Sequence, residues 1–192
     1  MKLKNLYLIV GLSGSGKDAI TNALCEHYDA TKVKSYTTRA QRNEKDKENH
    51  IFATDEDYRN AVAENSIIAH TYYDGHDYWA TADQVDNADF YVIDTKGADD
   101  VYYHYLGKRN VVLLYVDVNV YNRLIRMIKR AKNKADNTIE EIINRSHHDI
   151  HELTPFYMSN VEHIAIVGNN GTLEEGIRSA IEMVDNYERT LA

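Results

Sequence analysis

Cysteine, proline, basic charge and long apolar runs are all scarce in this chain, and each scarcity excludes something. One cysteine, Cys25, among 192 residues rules out an internal disulfide and a cysteine-built zinc cluster. Its place in an expected helix suggests a buried thiol. One proline, Pro155, and no low-complexity stretch leave no sign of a linker between domains. No apolar run approaches the about 20 residues that span a bilayer, and the first strand begins almost at Met1, so neither an anchor nor a leader is expected. Lys and Arg total 22 against 30 Asp and Glu, a formal charge of −8. That deficit argues against a general nucleic-acid or anionic-membrane binder, so any anion site must be local. A soluble, cytoplasmic, single-domain protein, monomer or homodimer, is the expectation. Tyrosine is abundant, with 15 copies clustered at Tyr72-Tyr73 and Tyr102-Tyr103-Tyr105, which reads as half-buried strand and helix faces.

Glycine is concentrated where it matters. Gly11-Leu12-Ser13-Gly14-Ser15-Gly16-Lys17 follows the apolar run Leu6–Val10 and precedes a helical pattern over Asp18–Tyr28. Strand, glycine loop and helix in this order are the context of a phosphate-binding loop. Glycines let backbone wind around a polyphosphate with its N–H groups turned inward, the helix start adds free N–H groups and a positive dipole end, and Lys17 adds a mobile point charge. The position after the lysine, usually Ser or Thr, is Asp18. A carboxylate there either holds Mg²⁺, directly or through water, or only complements the helix dipole.

Downstream, strands centred near positions 6, 33, 90, 111 and 163 alternate with helices, the pattern of a parallel sheet covered on both faces. The second strand is expected over Lys32–Tyr36. Residues 36–82 interrupt the alternation. They carry a short strand at His50–Ala53, a helix capped by Thr54 with Asp57, and a hairpin of Ile67–Tyr73 and Tyr78–Thr81 around Asp74-Gly75-His76-Asp77. Lys45–Asn49 reads as an exposed loop and Ala131–Asn137 as a mobile one. Asp117 or Asn119 caps a helix bearing Leu124, Ile125 and Ile128 with Arg123, Arg126, Lys129 and Arg130. Helices over Thr138–Leu153 and Thr172–Arg189 flank a strand at Glu162–Val167. Ligands of such sheets bind beyond the carboxyl ends of the strands, where Gly11, Ser35, Arg39 and Asp94 would emerge.

From about Leu6 to Asp185 the chain resembles the guanylate kinases, P-loop enzymes that move a phosphoryl group from ATP to GMP. The resemblance rests on the glycine loop, Ser35-x-Thr37-Thr38-Arg39-x-x-Arg42, His50-Ile51-Phe52, Gly75-x-x-Tyr78, Val92-Ile93-Asp94-x-x-Gly97 and the later arginines. It implies a three-layer α/β P-loop fold, with residues 36–82 as the insert that binds the nucleoside monophosphate (NMP) and residues 126–145 as a lid. It implies ATP on Gly11 through Asp18, with Arg126 and Arg130 closing over it. The acceptor NMP falls to Ser35, Arg39, Arg42, His50, Tyr78 and Asp94. Lys17, Arg42, Arg130 and Arg145 would be the catalytic cations, and Asp18 and Asp94 would hold Mg²⁺. Two departures bear on the base: Ala69 stands where the family has a base-reading glutamate, and Trp79 where it has glycine. Trp79 either stacks on a base or is core, and Thr81, His70 or Asp74 would substitute after a register shift. Competing readings are a kinase for another nucleoside monophosphate and a non-catalytic binding module. His147, His148 and His151 share a helix stretch and read as polar surface ahead of a metal site.

Overall fold

A computed structural model of the chain describes residues 3–42, 44–107, 109–131, 139–160 and 163–190. Its first strand, β1 (Leu6–Val10), is buried at every position and leads through the glycine loop into α1 (Lys17–Tyr28). Next come β2 (Ser35–Thr37), a 3-10 turn (Glu44–Glu48), β3 (His50–Phe52), α2 (Asp55–Ala63), β4 (Ile67–Tyr73), β5 (His76–Thr81) and α3 (Ala82–Asp86). The remainder alternates as β6 (Phe90–Val92), α4 (Thr95–His104), β7 (Val111–Asp117), α5 (Val120–Ala131), α6 (Ile139–Asn160), β8 (Ile164–Gly168) and α7 (Leu173–Thr190).

Four of these strands form a parallel sheet in the order β6-β1-β7-β8. The runs of β1 and β7 are apolar on both faces because both faces are covered. Tyr7, Ile9, Leu114 and Val116 pack against Ile20 and Leu24 of α1 and Ala180 and Val184 of α7. Leu6, Leu8, Val10 and Leu113 pack on the other side against Val85, Ala98, Val101 and Phe156. The expected three layers are present, with one strand fewer than expected. Lys32 makes a single bridge to Phe90, and the chain then leaves the central sheet. The Val33 amide completes that bridge by donating to the Phe90 carbonyl, and beyond it the Gln84 side chain donates to the Lys34 carbonyl at 2.8 Å.

Residues 36–82 build a second sheet, β3-β2-β5-β4, beside the first. The Thr54–Asp57 capping box forms as expected, and Thr81 with Gln84 forms another. The hairpin is tighter than its sequence suggests. Asp74 (φ 52°) and Gly75 (φ 79°) both adopt positive φ, as a two-residue primed turn requires, so β5 already begins at His76. Trp79 is 2% exposed, stacked on Tyr36 at 5.3 Å and tilted against Tyr58 at 5.2 Å. It belongs to the core beneath α2. The Lys45–Asn49 stretch, read as a loop, is mostly the 3-10 turn. Of the two candidate caps for α5, Asn119 serves, its side chain accepting from the Asn122 amide at 2.9 Å. α6 continues past the expected stop at Leu153, held by Leu153 and Phe156 on the core. Of the expected loop Ala131–Asn137, everything after Ala131 lies outside the described residues.

Candidate active site

The glycine loop links the end of β1 to the start of α1. Gly14 (φ 81°) and Gly16 (φ 88°) sit in the left-handed region, and a Cβ at Gly14 would come within 2.7 Å of the Arg123 carbonyl. Gly16 is the N-cap of α1 and offers no side-chain cap, so the first-turn N–H groups stay open to an anion. The loop carbonyls are tied back from behind. Ser15 O accepts from Asn169 Nδ2 at 2.7 Å and from Arg126 Nη1 at 3.2 Å, and Ser13 O accepts from Arg123 Nε at 3.0 Å. Arg126 also donates to Asn169 O at 2.8 Å. Its guanidinium therefore braces the rear of the loop, while Arg123, 2% exposed, is buried against it.

Cations gather on the open side. Burial lowers the proton affinity of the Lys17 ammonium, the carboxylates of Asp18 and Asp149 oppose that, and Arg145 and Arg130 add to it. Arg145 Nε donates to Ser13 Oγ at 2.7 Å, fixing a helix α6 cation to the loop itself. Arg130 lies close enough to Arg145 that partial burial of its guanidinium, and then that like charge, weaken its hold on its proton. Cationic groups concentrated in one place favour an anion there.

The insert brings the second set. Arg39 is 7% exposed, donates from Nη1 to Asp46 at 3.1 Å and to Ala40 O at 2.9 Å, and lies over the Phe52 ring. The same Asp46 oxygen accepts from the Arg42 amide at 2.8 Å, and among the described residues the Arg42 side chain makes no hydrogen bond. Arg42, Tyr73 and Asp74 of the insert line a cleft of about 390 Å³ together with Arg130, Arg145 and His148. The insert arginine and the α5 and α6 arginines thus share one cleft, and Arg145 joins it to the loop.

Ser35, Thr37, His50, Thr71 and Tyr78 occupy paired rungs, so they share one face of the insert sheet, opposite Trp79 and His70. Ser35 Oγ donates to Tyr91 Oη at 3.1 Å. The His50 ring meets Tyr78 edge-on at 5.8 Å, and its buried Nδ1 lacks a partner among the described residues. Burial and then Arg39 lower its proton affinity. Asp94 caps α4 by accepting from the Gly97 amide at 2.8 Å and is otherwise exposed. Ala69 is 3% exposed in the core, and Thr81 serves as a cap. His70 bonds Asp77 at 2.7 Å on the far face. Asp74 alone of the three proposed substitutes reaches the cleft. His147, His148 and His151 are exposed, and no group of three or more metal-ligating side chains occurs among the described residues.

Sequence reasoning missed Asp46, Arg123, Asp149 and Asn169. One signal was available: Asp149 follows Arg145 by one helical turn, so the two share a face.

The guanylate kinase family model matches residues 3–186. The chain belongs to the guanylate kinase family. It is 24% identical over 160 residues to a guanylate kinase of Mycoplasma genitalium, an alignment covering 79% of this chain and 66% of that protein. It is 25% identical over 154 residues to a guanylate kinase of Legionella pneumophila strain Paris, covering 76% and 72%. The crystal structure of guanylate kinase from Anaplasma phagocytophilum superposes with a TM-score of 0.62 at 15% identity, over 98% of this chain and 88% of that one. That last likeness concerns the fold. The parallel sheet, the glycine loop and the insert of this guanylate kinase family member are the parts described above. No helix among the described residues is long and apolar enough to cross a membrane.

Proposed function

We propose that the protein is an ATP-dependent nucleoside monophosphate kinase that transfers the γ-phosphoryl group of ATP to GMP or dGMP. The observation carrying this reading is the shared cleft: Arg42 from the insert lines it with Arg130 and Arg145, and Arg145 is bonded to Ser13 of the glycine loop. In this reading the loop from Gly11 to Asp18, through its backbone amides, and the Lys17 ammonium hold the donor phosphates. Arg39, Arg42, His50 and Tyr78 hold the acceptor phosphate, with Ser35 and Asp94 toward the nucleoside. An acceptor phosphate oxygen attacks the γ-phosphorus as the bond to the β–γ bridging oxygen breaks, giving ADP and a nucleoside diphosphate. Little covalent chemistry falls to the protein, so positioning and charge neutralisation carry the rate. Arg130 and Arg145 neutralise the migrating group and, with lid closure, exclude water. Arg126 acts through the loop it braces.

The family implies Mg²⁺. Asp18 is exposed in the first turn of α1, and one carboxylate oxygen of Asp94 has no hydrogen bond among the described residues. Two hard oxygen donors beside a phosphate site suit an ion held mostly by phosphate oxygens and water. When bound, Mg²⁺ would neutralise charge on the donor phosphates. The unpaired Cys25 fits a cytoplasmic setting.

The test is turnover with ATP and a panel of monophosphates, read as ADP release. Wild type should use GMP and dGMP, and Lys17→Ala should lower kcat about 100-fold or more. Full turnover in Lys17→Ala refutes the assignment. Ala69 favours a second reading, a kinase for another (deoxy)nucleoside monophosphate, because a buried methyl group accepts no hydrogen bond from guanine donors. Inert GMP and dGMP alongside a reactive third monophosphate would select it.

A further inference from the structure

Asp149 stands in an unusual position for a carboxylate. Its Oδ2 accepts from the Ser13 backbone amide at 2.6 Å, so a negative side chain already holds one of the glycine loop's own N–H groups. Its neighbours are cations. Arg123 Nη2 lies 3.7 Å away, and Asp149 is among the charges that act on the Lys17 ammonium. Arg145 donates to the hydroxyl of the same Ser13 whose amide Asp149 holds. An anion on a loop amide, with Arg123 beside it, Lys17 within its field and Arg145 on the same Ser13, has the surroundings a phosphoryl group requires.

We propose that Asp149 holds the place of the terminal phosphoryl group in the nucleotide-free protein, and that it reduces the preference of the loop for ATP over ADP. The inference rests on the kinase reading above. One amide hydrogen cannot serve two anions, and two anions in one nest repel, so a triphosphate has to displace the carboxylate. Arg123 receives it: the guanidinium is buried, already within 4 Å, and bonded through Nε to the Ser13 carbonyl, with Nη2 toward Asp149. The place is the terminal one because Ser13 is the residue that Arg145 touches, and Arg145 lines with Arg42 the cleft across which the phosphoryl group travels. The inner phosphates fall to the amides at the start of α1, which Asp149 does not touch. ADP therefore leaves the carboxylate in place, and ATP evicts it. Asp149 thus weakens ATP binding and leaves ADP binding alone, which evens the two affinities and eases turnover.

Equilibrium titration of ATP and ADP, without monophosphate, into wild type, Asp149→Asn and Asp149→Ser reads this directly. Both variants should bind ATP about tenfold tighter with little change for ADP, the value of one charge-assisted hydrogen bond no longer contested. An ADP-to-ATP ratio of Kd that is unchanged or lower than in wild type overturns the proposal and makes Asp149 a structural brace of the loop. Should Arg123, left unpaired, unfold both variants, the wild type decides. The carboxylate carbon resonance of Asp149 and the amide of Ser13 should shift on saturation with a non-hydrolysable ATP analogue and stay put with ADP. Equal shifts with both, or none with the analogue, overturn it. A wild type that takes up neither nucleotide defeats the kinase reading instead.

Discussion

Replacing Glu188 tests how the two ends of the chain are fastened, and separates that from catalysis. The Glu188 carboxylate is 5% exposed and accepts four hydrogen bonds. Lys4 N donates to Oε2 at 2.8 Å, while Asn5 N, Asn5 Nδ2 and Tyr7 Oη donate to Oε1 at 3.2, 2.8 and 2.8 Å. Burial pushes the carboxyl up, and the bonds from Lys4, Tyr7 and Asn5 more than offset it, so it sits below the ordinary glutamate range. In Glu188→Gln the amide oxygen keeps three donors, but each bond falls from charge-assisted to neutral, about 1 kcal/mol apiece. The amide NH₂ then faces the Lys4 N–H, adding about 1 kcal/mol for a donor with no acceptor. The total, about 3 to 4 kcal/mol, should lower Tm by about 10 °C in a chain this long. The sign with pH follows from the depressed value. The folded carboxylate stays ionised where the unfolded one takes up a proton, so its stabilisation is complete at neutral pH and fades as pH falls through and below the glutamate range. Urea unfolding of wild type and variant at about pH 7 and about pH 4 should therefore show the gap closing in acid. Because this network lies at the start of β1 and the glycine loop at its end, kcat below the melting range should not change. A loss under about 1 kcal/mol at neutral pH, or an equal gap at both pH values, refutes the account.

Three further substitutions probe the site. Arg42→Ala should raise KM for the monophosphate about tenfold while leaving KM for ATP and Tm unchanged, because its side chain faces open cleft; a selective effect on ATP would contradict this. Arg126→Met removes donors from Ser15 O and Asn169 O, so steady-state kinetics should show KM for ATP rising more than KM for the monophosphate, with Tm down by about 5 °C. An unchanged Tm would show that the brace is dispensable. Trp79→Phe should destabilise the insert and leave KM for the monophosphate within about twofold, whereas a larger rise would return Trp79 to the base pocket.

The legible parts of this chain are those where local chemistry decides. The apolar runs of β1 and β7, the glycine loop and the Thr54 capping box each carry their structural reason in a few consecutive residues, and they form where expected. The strand expected over Lys32–Tyr36 splits: Lys32 bridges Phe90 of the central sheet, while Ser35 and Tyr36 open β2 of the insert sheet, a division that no local pattern announces. Trp79 was ambiguous for the same reason. Its face was decided by the register of β4, β5 and β2, which a two-residue turn at Asp74-Gly75 fixes.

Helix α5 departs from the usual rule for amphipathic helices at Arg123, and the glycine loop is the cause. Read by hydropathy, Leu124, Ile125 and Ile128 should face inward and the arginines outward. Instead Arg123 is 2% exposed and Ile128 is 38% exposed. A loop that turns its amides toward a ligand turns its carbonyls away from it, and carbonyls pressed against a neighbouring helix need donors. Ser13 O and Ser15 O find theirs in Arg123 and Arg126. The polar stripe of α5 is therefore an inner face, matched to the back of the cradle, and the same helix carries Arg130 to the front. Motion of α5 and shape of the loop are then coupled through buried guanidinium bonds.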